Sequence, residues 1–207
     1  MDPLKIAEDL REKIIWLDLK PGEVLNMVEL AETYGVSRNP ITIALTRLNA
    51  EKWVENKRSH FVVSPLTIDG IRDTAEIRLV LEVQAYIWAM HRLSPAGIDE
   101  LRDLSDKIAS LDDTTTNRAM VELDKRFHRT IYQATQNKAL AEFLERILNL
   151  YLRFWLSNPN PIKRDRFFEE ALTVIEAMGK KDEIAVRTAV TAHIKASLDT
   201  IMGFSTL

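Results

Sequence analysis

The sequence predicts a mainly α protein in two parts. Residues 1–66 form a winged helix-turn-helix, and residues 67–207 form an all-α helical bundle of about six helices. Three observations predict this. Residues 28–63 read as helix, glycine turn, helix and hairpin. Pro65 then blocks continuation of a strand, and Thr67 can cap a helix after it. Beyond that point apolar residues recur at helical spacing and strand signals disappear.

In chain order, residues 2–19 read as a first helix, with Ile6, Leu10, Ile14 and Ile15 on one face. Lys20-Pro21-Gly22 ends it with turn chemistry, and Val24-Leu25 adds a short strand. Residues 27–33 are a short helix, closed by Gly35, which is free to take positive φ. Ser37 caps the next helix, and Pro40 sits early in it, where a missing N–H costs little. Ile41, Ala44, Leu45 and Leu48 give that helix one apolar face. Trp53-Val54 and Phe61-Val62-Val63 read as two strands around a polar loop over residues 55–60. Six further helices follow: 68–91, 94–111, 118–135, 138–157, 163–178 and 182–202. Asn137 caps the fourth of these, and Asn158-Pro159-Asn160-Pro161 stops it.

Composition narrows the function classes. With 46% hydrophobic and 29% charged residues the chain is an ordinary globular sequence. It has no cysteine, which excludes disulfides and thiolate-bound zinc. No apolar run reaches the roughly 20 residues of a membrane span, and no signal pattern opens the chain, so the expected location is the cytoplasm, with no membrane partner. The net charge is −3. Residues 1–66 hold nine Lys/Arg against ten Asp/Glu, but residues 37–60 are locally basic, through Arg38, Arg47, Lys52, Lys57 and Arg58. Phosphate contact depends on the face presented rather than on the total.

Helix, tight turn, helix and wing is the shape of a DNA-reading motif, with the second helix in the major groove. Its N-terminal residues Ser37, Arg38 and Asn39 are the first candidates for DNA contact, followed by Thr42, Arg47 and, in the wing, Lys57, Arg58 and His60. A guanidinium binds guanine or phosphate bidentately, which puts Arg38 first. In the helical part, Asp124 and His128 stand four apart and share a helix face with Phe127 and Ile131 nearby. Such a pair invites a metal ion or a simple Asp–His hydrogen bond. His193 lies on the last helix among Ala189, Val190, Ile194 and Ser197, also facing inward.

The order of elements resembles the GntR family of transcriptional regulators, and the helical part resembles the FCD-type ligand domain of its FadR subfamily. The residues that carry the resemblance are Lys20-Pro21-Gly22-Glu23-Val24-Leu25, Leu30-Ala31, Gly35-Val36-Ser37-Arg38-Asn39-Pro40 and Ala44-Leu45-Thr46-Arg47-Leu48. In the helical part they are Glu76-Ile77-Arg78 with Leu81-Glu82, Asp124-Lys125-Arg126-Phe127-His128, Asn137, and Asp182 with His193. The resemblance implies a homodimeric regulator that binds a double-stranded operator. A small organic acid bound in the helical domain then changes the fit of two winged domains to two half-sites. It also implies metal ligands at Asp124, His128 and His193. A fourth ligand position falls on Ala171, which cannot ligate, and the neighbouring Glu170 is expected to project about 100° away. Three ligands of this type suit zinc, manganese or nickel; the alternative is a metal-free polar pocket of the kind also found in this subfamily. Arg78, Tyr132 and Tyr151 are the candidate effector contacts, with Trp155 beside them. The alternative for Arg78 is a surface pair with Glu82 at i+4. The chain departs from the family at Thr42 and Ile43, and at a wing tip without glycine, Ser59-His60. Two rival readings remain: a metal-dependent helical enzyme built on Asp124, His128 and His193, and a protein-interaction adaptor with a degenerate winged domain.

Overall fold

The computed structural model describes residues 1–58, 60–112, 114–157 and 164–204, except for the side chains of residues 164–167, 169 and 204. Ser59 and the expected stop at Asn158-Pro159-Asn160-Pro161 lie outside the described residues. The chain divides into two compact units, Met1–Thr67 and Ile68–Leu207.

The first unit contains α1 (Pro3–Ile15), β1 (Val24–Leu25), α2 (Met27–Tyr34), α3 (Arg38–Ala50), β2 (Val54–Lys57) and β3 (His60–Val63). The three strands form an antiparallel sheet in the order β1-β3-β2. Asp2 caps α1, and α1 buries Ile6, Ala7, Leu10, Ile14 and Ile15. The helix ends at Ile15 rather than near Leu19, because the chain turns through Leu17 at φ 60 before reaching Lys20. Gly35 closes α2 in the left-handed conformation, φ 61, where a β-carbon would be strained. Ile41, Ala44, Leu45 and Leu48 of α3 are at most 1% exposed and form the centre of this unit's core. Arg11 from α1 and Arg47 from α3 both bond to Glu51, and Tyr34 bonds to Asp9.

Two further expectations for this unit need correction. The polar stretch 55–60 is not a loop: Glu55, Asn56 and Lys57 continue β2, and His60 opens β3. β2 is an edge strand that leaves the core after Val54, so its later side chains reach solvent and need not be apolar. Ser37 sits at the N-cap of α3, but its side chain makes no capping hydrogen bond.

The second unit is α4 (Ile68–Arg92), α5 (Pro95–Ala109), α6 (Asn117–Ala134), α7 (Lys138–Ser157), α8 (Arg164–Gly179) and α9 (Glu183–Phe204). Ser94 caps α5 ahead of Pro95, Thr116 caps α6, and Asn137 accepts from Leu140 N at the start of α7. α4 runs through the middle of the bundle, against α9, α6 and α7, while α8 lies on α9 and α5 on α6. That position explains why α4 buries side chains on most of its circumference, including Arg78 and Glu82. No described helix is long and apolar enough to cross a membrane.

Candidate functional site

Four helices of the second unit each place an i,i+4 pair at one buried point. These are Arg78 and Glu82 on α4, Asp124 and His128 on α6, Tyr151 and Trp155 on α7, and His193 and Ser197 on α9. A small cavity lies between them, lined by Arg78, Asp124, His128, Tyr151, Trp155, Glu170, His193 and Ser197. The space open to the centre of a water molecule is about 10 Å³, room for about one water or one ion.

One edge of the site is ionic. Arg78 Nε donates to Glu82 Oε1 at 2.6 Å and Nη2 to Oε2 at 3.1 Å, with both side chains at most 1% exposed. The pair therefore forms, but inside the bundle rather than on its surface. Tyr132 Oη donates to Glu82 Oε1 at 2.6 Å, giving the carboxylate three hydrogen bonds. Burial pulls the Arg78 pKa down, but the Glu82 carboxylate, with Tyr132 and Tyr151, more than compensates, and the guanidinium remains charged. It stacks on the Tyr151 ring, 4.4 Å from the centroid.

The other edge offers metal-ligand atoms. Asp124, His128 and His193 are all buried, with one ligand atom from each within 4.8 Å of the others. His128 Nε2 lies 3.7 Å from Asp124 Oδ1 and 3.4 Å from His193 Nε2. Burial lowers the pKa of both imidazoles; for His193 it falls to about 3, helped by His128 and Arg78. Both rings are therefore neutral at physiological pH, the form that ligates. Burial pushes Asp124 up to about 7, with Arg78 opposing and Glu82 adding to the rise. His128 Nδ1 is 2.6 Å from Tyr86 Oη. With the ring proton on Nδ1, facing Tyr86, Nε2 presents its lone pair to Asp124 and His193. That outward hydrogen bond is the usual orienting contact of a metal-bound histidine. The donor set thus fits a divalent ion of the zinc, manganese or nickel type, with coordination positions to spare.

Several residues stand differently from expectation. Ala171 is fully buried and supplies only a methyl group, but Glu170 does line the cavity. A glutamate side chain is long enough to swing back from its neighbouring position on α8. Tyr151 and Trp155 reach the cavity wall, whereas Tyr132 stands behind it, holding Glu82. Sequence reasoning missed Tyr86, placed Ser197 only among the inward residues around His193, and gave Glu82 a contact only as a partner of Arg78. The signal was present: Arg78, Glu82 and Tyr86 repeat every four residues along α4.

In the first unit, Ser37, Arg38, Asn39, Thr42, Ile43, Thr46 and Arg47 are exposed on α3. Arg47 Nε donates to Glu51 Oε1 at 2.9 Å, and Lys57 Nζ lies 2.6 Å from Glu55 Oε2, so both cations carry a partner. Thr42 Oγ1 donates to Arg38 O at 3.1 Å. Arg38 is exposed at the start of the helix, beside the side chain of Ser37 that leaves the α3 N–H groups uncapped. In the wing, Lys57 pairs across from His60, and Arg58 takes φ 57. Arg58→Gly is expected to stabilise this unit by up to about 1 kcal/mol, since glycine adopts positive φ without strain. It should at the same time weaken DNA binding, and melting and binding curves of the one variant check both signs.

Comparison with known proteins gives the same division of the chain. Residues 4–60 match the bacterial regulatory proteins of the gntR family, and residues 73–196 match the FCD domain. The Nta operon transcriptional regulator of Aminobacter aminovorans is 29% identical, over 88% of this chain and 86% of its own. The regulator LutR of Bacillus subtilis is 23% identical over 90% of this chain and 95% of its own. The solved structure of Escherichia coli McbR/YncC superposes with a TM-score of 0.79 at 22% identity, covering 97% of each chain. These relatives are regulators of transcription and not enzymes, which removes the metalloenzyme reading. The chain belongs to the GntR family of transcriptional regulators, in the group whose C-terminal part is an FCD domain.

Proposed function

We propose that this regulator binds operator DNA as a homodimer through α3 and the wing, and that a divalent metal in the helical unit, with a small organic acid on it, controls that binding. The DNA contacts are Ser37, Arg38, Asn39 and Thr42 on α3, with Arg58 and His60 at the wing; Arg47 and Lys57 serve as phosphate contacts once released from Glu51 and Glu55. The observation that carries the effector reading is the convergence of Asp124, His128 and His193 beside Arg78 in one buried cavity. Asp124, His128 and His193 hold the ion, which offers a charge for an effector carboxylate. Arg78 orients that carboxylate with Nη1, the guanidinium nitrogen not bonded to Glu82. A cavity of about 10 Å³ admits an ion but not an acid, so acid binding requires the wall to open. Glu170 and Ser197 are the half-buried members of that wall; Ser197 is bonded to Trp155, and Glu170 is the long side chain able to swing out.

Thermal melting of chelator-treated protein tests this. Zinc, manganese or nickel is expected to raise the melting temperature of the wild type and to leave His193→Ala unshifted. The rise should grow from about pH 6 to about pH 8, because below about 7 the metal must displace a proton from Asp124, while both histidines are already neutral. Carboxylates added to the metal-loaded protein should raise it further and change the affinity for the DNA upstream of its own gene. No shift with any metal overturns the metal reading; shifts with metal but with none of the carboxylates overturn the acid reading.

A further inference from the structure

We propose that α3 reads thymine: Ile43 and Thr46, with the methyl group of Thr42, pack on 5-methyl groups in the major groove. The inference goes beyond membership of a DNA-binding family and concerns which bases this helix selects.

α3 divides cleanly into two faces. Ile41, Ala44, Leu45 and Leu48 are buried. Arg38, Asn39, Thr42, Ile43 and Thr46 are exposed and fall on one stripe along the opposite side. Ile43 is 49% exposed, although the core of its own unit lies one helix face away. Folding this unit therefore leaves much of that side chain in water, where its apolar surface contributes nothing. Its neighbours on the stripe are two threonines. The Thr42 hydroxyl turns back to Arg38 O at 3.1 Å, so it is already bonded within the helix and the methyl group is left for a partner. Arg47, one residue beyond Thr46, is held by Glu51, which Arg11 also holds. The reading stripe is thus polar and cationic at its start, at Arg38 and Asn39, and methyl-lined through its middle.

Duplex DNA is the partner that matches this pattern. Arg38 lies at one end of the stripe, and Lys57 and Arg58 belong to the wing that follows α3, supplying charge for phosphates. In the major groove the apolar group on a base edge is the thymine methyl, and aliphatic side chains are what read it. A central glutamate or arginine would instead select cytosine or guanine, and neither stands at Thr42, Ile43 or Thr46. The half-site should therefore place thymines opposite the middle of α3.

Selection of bound duplexes from a randomised pool by the full-length protein supplies the half-site. Each thymine in it is then replaced by deoxyuridine, which removes the methyl group and leaves every hydrogen-bonding atom. At one or two positions the affinity should fall about threefold to fivefold, the worth of one buried methyl group. That penalty should vanish in Ile43→Ala or Thr46→Ser, whose melting temperatures should match the wild type because both positions are exposed. Deoxyuridine tolerated at every position overturns the proposal, as does a penalty that persists unchanged in both variants. A different failure, in which no sequence is enriched and no duplex is retained at low salt, overturns DNA reading by this helix altogether.

Discussion

Arg78→Met should destabilise the helical unit by about 3–5 kcal/mol, and Arg78→Met combined with Glu82→Leu should recover most of that loss. The single change leaves the Glu82 carboxylate fully buried with no counter-charge, held only by the Tyr132 hydroxyl. The double change removes both charges and fills the space with apolar atoms of similar volume. What it does not recover is the acceptor for Tyr132 Oη and the stacking of the guanidinium on Tyr151. Urea unfolding of the wild type, both single variants and the double variant gives the coupling energy directly. A double variant as unstable as the two singles added together would show that the pair acts independently and that its burial is not the cause. The double variant should also lose any response to carboxylates while keeping its response to metal, because the ligands on α6 and α9 are untouched.

The same pair shows what the sequence could and could not reveal. The helices of the bundle were legible because their boundaries carry chemical marks: Ser94-Pro95, Asn137, and the gap before Asp182. The winged unit was legible for a similar reason, since Gly35, Pro40 and the period of Ile41, Ala44, Leu45 and Leu48 each constrain the backbone locally. Glu82 was not legible as a buried residue. An i,i+4 pair of opposite charges looks the same in sequence whether a helix is at the surface or at the centre of a bundle, and the central place of α4 follows only from packing of α6, α7 and α9 around it. Glu170 was misjudged because projection angle was considered without side-chain length. In the wing, counting apolar residues hid the edge strand β2, whose exposed side chains are polar. At Arg47 and Lys57 the sequence shows two cations, while the structure shows two ion pairs.

That last distinction separates the expected effects of two arginines on the same helix. Arg38→Ala should weaken binding to a selected operator by roughly 10- to 100-fold, the range for one bidentate base contact. Arg38 stands exposed at the N-terminus of α3, where the backbone N–H groups are not capped by Ser37 and also face an incoming phosphate or base. Among the described residues no ion pair holds its side chain, so its contacts cost no broken pair. Arg47→Ala should change affinity less, by about threefold or under, because Glu51 must be surrendered before Arg47 can bind a phosphate, and the exposed pair is itself worth little. The two should also differ in kind. Loss of a base contact relaxes sequence preference at one position, whereas loss of a phosphate contact lowers affinity for all sequences and reduces the salt dependence by about one ion. Anisotropy titrations against the selected operator and a scrambled duplex, at several salt concentrations, measure both properties together. Equal losses for the two variants on both duplexes would mean that Arg38 meets only the backbone, and selection would then rest on Asn39 and the methyl-lined middle of α3.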